Sequence, residues 1–115
     1  MAEFKNLKAN EILFKEGEKP DNMYIIKSGQ IAIFAGSGEN EKQLTTMGVG
    51  ELVGELALFD KRHRSASARA LCDSSLVVLP YAALEKQLDQ LPDWVRITMK
   101  SLSDKLRVTN RKIIE

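Results

Sequence analysis

At 115 residues the chain has room for one domain with a real hydrophobic core, and little room for two. Its 43% hydrophobic and 29% charged residues suit a soluble globular fold, and a net charge of +1 excludes the global basic field that nucleic-acid binders often carry. No stretch reaches the roughly 18 apolar residues of a membrane span, and the first ten residues lack the apolar run of a signal peptide. The one cysteine, Cys72, cannot close an internal disulfide, which fits a reduced, cytoplasmic setting. It reads as a small half-buried apolar side chain rather than a reactive thiol.

Residues 1–80 are rich in glycine, turns and short β-type runs. The first run is Glu11–Phe14, followed by a turn over Glu16–Asn22. Met23–Ile26 reads as a strand closed by Lys27-Ser28-Gly29. Gln30–Phe34 follows, with Ile31 and Ile33 alternating against smaller neighbours. Gly36–Glu41 is a polar hairpin loop, Gln43–Met47 a further strand, and Gly48–Glu51 another turn. Between Ala68 and Leu79 the run Ser75–Leu79 is strongly β-type and stops at Pro80. Short strands separated by turns every eight to twelve residues predict a β-barrel or sandwich.

Residues 81–115 contain no glycine and read as helix. Tyr81–Leu88 has helical composition, and Pro92 falls at a first-turn position of the next helix, about 93–115. There Val95, Met99, Leu102, Leu106, Thr109 and Ile113 are spaced 4, 3, 4, 3 and 4, a heptad seam that fits either one amphipathic helix packing on its own domain or a parallel homodimer through the seam. A second apolar set, Trp94, Ile97 and Ile114, faces another way and is positioned to dock on the barrel.

The stretch that carries chemistry is Gly50–Ala70. Gly54 lets backbone approach a ligand closely. A turn of helix starting near Glu55 would leave backbone N–H groups without intrahelical partners, an anion cradle reinforced by the helix dipole. Arg64 supplies a charged fork that fits phosphate better than lysine does. Glu55 is an odd carboxylate beside such a site, unless it accepts from a sugar hydroxyl. A donor-rich cradle with one carboxylate suits a ribose phosphate. Each residue also has a plainer role open to it: Arg64 and Glu55 as solvated surface charges, Ser65 as a turn residue, Thr109 and Asn110 as helix-surface residues, and His63 as an exposed loop residue.

Gly54-Glu55-Leu56-Ala57-Leu58, a short spacer, and Arg64-Ser65-Ala66-Ser67 together resemble the phosphate-binding cassette of the cyclic nucleotide-binding domain family. Phe14–Glu18, Met23–Gly29 and Gly50–Gly54 match that family's other turns and strands, so the resemblance covers nearly the whole chain. It implies a mainly β fold with flanking helices: a β-barrel of double-stranded β-helix or jelly-roll type over about 10–80, a cassette at 53–67, and helices at 81–115 acting as lid and dimerisation element, all in one domain spanning 1–115. The family's roles then fall on Arg64 for the cyclic phosphate and Glu55 for the ribose 2′-hydroxyl. Gly54 allows close approach, Val53 is counted with it among the ligand-binding residues, backbone N–H groups of Leu56, Ala57 and Ala66 complete the cradle, and Ser65 lies within reach of a phosphate oxygen or a guanine amino group. Thr109 and Asn110 match the places where the bacterial activators' dimerisation helix meets the base.

The ligand expected is cAMP, with cGMP as the alternative, and no metal or other cofactor. One histidine and one cysteine fall short of a metalloenzyme's ligand set, and no Gly-x-Ser-x-Gly, phosphate-binding Walker loop or Cys-x-x-Cys pair is present. The chain thus reads as a non-enzymatic regulatory module with an unidentified protein partner, not binding DNA or membrane by itself. The competing reading is a ligand-independent dimerising or docking module that retains the fold.

Overall fold

In the computed structural model, residues 3–54 and 57–114 are described. Eight strands are found among them: β1 (Glu3–Leu7), β2 (Ile12–Phe14), β3 (Asn22–Ser28), β4 (Ile31–Ala35), β5 (Lys42–Met47), β6 (Leu52–Val53), β7 (Ser67–Ala70) and β8 (Ser74–Pro80). Three helices accompany them: α1 (Ala57–Asp60), α2 (Tyr81–Leu88) and α3 (Asp93–Ile114). The strands form two four-stranded antiparallel sheets, ordered β1-β8-β3-β6 and β2-β7-β4-β5. This is a two-sheet, jelly-roll-like arrangement and not one closed barrel, since each sheet keeps its own edge strands.

The core lies between the sheets because both contribute inward-facing apolar residues at a period of two. In β8, Ser74, Leu76 and Val78 are buried while Ser75, Val77 and Leu79 are half-buried. Leu76 meets Ile26 of β3, Ile31 of β4, Val53 of β6 and Ala68 and Ala70 of β7 in one cluster. β3 breaks the alternation at Met23 and Tyr24, which are both buried. Tyr24 belongs to the main core, whereas Met23 turns to the other face and packs with Ala57 and Tyr81 beneath the helices. The β3–β4 turn is fixed by Gly29 at φ +92, where a β-carbon would collide with Ser74 Oγ. That hydroxyl accepts from the Gln30 N–H and donates to the Cys72 carbonyl, so two turns are stitched together.

Several expectations change. β1 is an additional strand, paired along β8 from Glu3↔Val78 to Leu7↔Ser74. Of its five residues only Leu7 is buried, so it leaves almost no hydrophobic signature. Leu52–Val53, just past the Gly48–Glu51 turn, is a further short edge strand. Cys72 is exposed, on the turn between β7 and β8, and not half-buried. Pro92 stands just before α3; its carbonyl accepts from the Val95 N–H at 3.0 Å, the role of a capping residue.

The start of α3 packs on its own domain, the first of the two readings its spacing allowed. The helix packs against α1, with Val95 and Met99 half-buried and Ser103 buried. These lie at i, i+4 and i+8, one ridge of a helix packed on its own domain. Trp94 and Ile97 therefore do not dock on the sheets; they are 70% and 67% exposed. Leu102 and Leu106, farther along the seam, are 55% and 53% exposed.

Candidate ligand-binding site

β6 delivers the chain into the cassette. Val53 is buried opposite Tyr24 of β3. The next residue, Gly54, sits at φ +86, a conformation other residues rarely adopt. Glu55 and Leu56 lie outside the described residues. Ala57 then begins the single turn of α1, buried against Met23 and Tyr81. Lys61, at φ +54, closes that turn with its N–H on the Ala57 carbonyl at 3.0 Å, and its ammonium meets Glu85 of α2 at 3.1 Å.

The return segment is clamped by the turn between β2 and β3. The Arg64 N–H donates to the Glu18 carbonyl (2.9 Å), and the Gly17 N–H donates to the Arg64 carbonyl (2.8 Å). Three residues on, Ser67 Oγ accepts from the Glu16 N–H at 2.8 Å. This backbone pairing turns the Arg64 side chain inward, where it is only 8% exposed.

The guanidinium lies over the ring of Phe14, with Cζ 4.0 Å from the ring centroid, and 5.8 Å from that of Tyr81. Nη1 donates to the Tyr81 hydroxyl at 3.0 Å, and Nη2 donates to the Asn22 carbonyl at 2.5 Å. The Tyr81 hydroxyl in turn donates to the Gly54 carbonyl at 2.5 Å. Gly54 and Arg64 are thus brought together from opposite ends of the cassette: a β-carbon at residue 54 would stand 2.5 Å from Nη1.

These partners are neutral. Among the described residues no carboxylate forms an ion pair with Arg64. Burying a guanidinium among hydroxyl, carbonyl and ring-face partners is costly unless an anion balances its charge. That is the electrostatic character of an anion site.

Of the other sequence-predicted residues, Ser65 is exposed and Ala66 half-buried in the bend after Arg64. His63 is exposed, as expected. The backbone of α3 runs through Thr109 and Asn110, but their side chains lie outside the described residues. Phe14, Asn22 and Tyr81 hold the arginine and were not singled out by the sequence. The only hint was an aromatic residue immediately after Pro80, at the start of a helical segment.

The cyclic nucleotide-binding domain family model matches residues 4–91. A CRP-like cAMP-activated global transcriptional regulator of Mycobacterium tuberculosis is 32% identical over 104 residues, covering 90% of this chain and 46% of that protein. An EAL enzyme solved in a cAMP-bound form superposes with a TM-score of 0.86 at 33% identity, covering 96% of this chain and 29% of that one; its cGMP-bound form gives 0.83 at 31% identity, covering 97% and 30%. The Thermus thermophilus catabolite activator protein gives 0.76 at 27% identity, covering 97% of this chain and 53% of that one. The chain spans less than half the length of the curated relatives it matches.

Proposed function

The chain belongs to the cyclic nucleotide-binding domain family, and from that premise we propose that it is a non-catalytic receptor for a cyclic nucleotide monophosphate, cAMP in preference to cGMP. The observation that carries the reading is the buried guanidinium of Arg64, held by neutral partners. A cyclic phosphodiester bears a single negative charge, and its arrival would neutralise that cation in a low-dielectric setting. Glu55 would accept from the ribose 2′-hydroxyl. Val53 and Gly54 would admit the ligand backbone-close, and the N–H groups of Leu56, Ala57 and Ala66 would line the phosphate. Ser65 would reach a phosphate oxygen, and Thr109 and Asn110 would meet the base.

The output runs through the C-terminal helix. A ligand shifts that helix only if it binds one arrangement better than another, and contacts from Thr109 and Asn110 would supply the difference. We assign the exposed Leu102 and Leu106 to a homodimer through α3, with a protein partner reading the change. The preference for cAMP draws on the cAMP-activated regulator among the similar proteins.

The test is calorimetric titration of the chain with cAMP and cGMP, repeated on Arg64→Ala. Loss of two charge-assisted hydrogen bonds weakens binding by about a hundredfold. Undiminished affinity in Arg64→Ala would remove the site assignment. Failure of both nucleotides to bind or to raise the melting temperature would leave the docking-module reading in its place.

A further inference from the structure

We infer that Tyr81 is a positioning residue for phosphate binding, which makes the first residue of α2 part of the ligand site; the inference rests on the function proposed above. Tyr81 stands outside the cassette, 17 residues beyond Arg64. Its hydroxyl nevertheless lies between the two ends of that cassette. It accepts from Arg64 Nη1 at 3.0 Å and donates to the Gly54 carbonyl at 2.5 Å. One phenol therefore fixes both the cation and the glycine that leads into α1.

The tyrosine is itself held at two levels. Its ring is buried with Met23 and Ala57, against half-buried Leu79 and Leu84. Its backbone N–H donates to the Asp21 carbonyl at 3.0 Å, while the neighbouring Asn22 carbonyl accepts from Arg64 Nη2. Successive carbonyls of one strand start thus bind the head of α2 and the guanidinium, closing a ring of contacts through Tyr81. A guanidinium presents five N–H groups in a rigid plane. With Nη1 and Nη2 each committed to a fixed acceptor, the plane of the fork is set before any anion arrives. Preorganisation of this kind strengthens binding by removing the reorientation that a loose arginine would undergo. Displacement of either partner on binding would be felt at the first turn of α2, the element that leads to α3.

The experiment is a double-mutant cycle on cAMP affinity with Tyr81→Phe and Arg64→Ala, run by NMR titration up to millimolar nucleotide. Phenylalanine keeps the buried ring and removes only the hydroxyl. In the Arg64 background Tyr81→Phe weakens binding about tenfold, the size of one hydrogen bond to a charged group. In the Arg64→Ala background it changes binding less than about twofold, because the group it positions is gone. Equal losses in both backgrounds, or no loss in either, overturn the inference while leaving the Arg64 assignment intact. Absence of any nucleotide binding by the unsubstituted chain overturns the function and this inference together.

A second reading needs no substitution at Tyr81. Tyrosine ζ-carbon labelling gives two signals, from Tyr24 and Tyr81. The Tyr81 signal moves on saturation with cAMP, and an unmoved signal counts against the role even if Tyr81→Phe fails to fold.

Discussion

Gly54 and Arg64 approach so closely that a β-carbon on the glycine would lie 2.5 Å from Nη1 and 3.2 Å from the Tyr81 hydroxyl. Two separate penalties follow for Gly54→Ala. The residue is held at φ +86, which costs a side chain about 1–3 kcal/mol. The methyl group would also push the guanidinium from its place between Tyr81 and Asn22. Gly50 separates the two effects, because it has the same φ of +86 and nothing within 4 Å of where its β-carbon would stand. Thermal melting should show Gly50→Ala and Gly54→Ala both destabilised. Calorimetry should show cAMP affinity reduced about tenfold, the worth of one charged hydrogen bond, in Gly54→Ala alone. Equal affinities in the two variants would mean that the close approach has no bearing on ligand.

Arg64→Lys tests the fork rather than the charge. An ammonium is a point donor on a flexible stem and cannot stack over Phe14 while serving the Tyr81 hydroxyl and the Asn22 carbonyl in one plane. Its cAMP affinity should fall between those of the unsubstituted chain and Arg64→Ala. Its stability without ligand should drop by about 1–3 kcal/mol, since a buried acceptor loses its donor. A lysine variant that binds as tightly as the arginine chain would show that positive charge alone suffices.

Gly54 and Arg64 were legible because they stand only ten positions apart in one local stretch, and the fold brings them together. The holder of the arginine was not legible. Tyr81 meets Arg64 only because β8 runs back beside β3 and Pro80 starts α2 at the cassette's edge, and no spacing rule encodes that crossing. β1 was missed for a different reason. Its residues Glu3 to Asn6 are all exposed, and Phe4 rests under the Lys27 ammonium (4.6 Å) instead of entering the core. In α3 the spacing alone did not say which apolar positions the chain's own domain would cover: Val95 and Met99 are half-buried, Leu102 and Leu106 exposed. The intrachain ridge of Val95, Met99 and Ser103 claims one face, with a buried serine that hydropathy could not nominate.

Glu41 and Arg69 give an acid-dependent contribution away from the site. Arg69 Nη1 and Nη2 each donate to a Glu41 carboxylate oxygen at 3.0 Å. Those hydrogen bonds, ahead of the opposing effect of burial, hold the Glu41 carboxyl below the usual glutamate range. A carboxylate whose folded pKa is depressed stabilises fully above its unfolded value of about 4.3, and that stabilisation is lost as pH falls through the lower folded value. The melting temperature of Glu41→Gln should therefore decline less steeply than that of the parent below about pH 4.3. Near neutrality the difference should be small, because the pair lies at the surface. Parallel acid limbs in the two proteins would rule out this pair as a contributor.

The two halves of the α3 seam should respond differently to charge. Met99 is half-buried where α3 packs on α1, so Met99→Glu places a carboxylate against apolar surface of its own domain. That variant should melt earlier, whatever its state of association. Leu106 is 53% exposed, so Leu106→Glu should leave the melting point of a dilute sample nearly unchanged. If α3 pairs with a second copy, glutamates introduced at 106 would face one another across the seam and repel. Light scattering across a concentration series should then give a dimer for the parent chain and a monomer for Leu106→Glu. An unchanged mass in Leu106→Glu would place any dimer contact elsewhere, and a parent that is monomeric throughout would remove α3 pairing from the account.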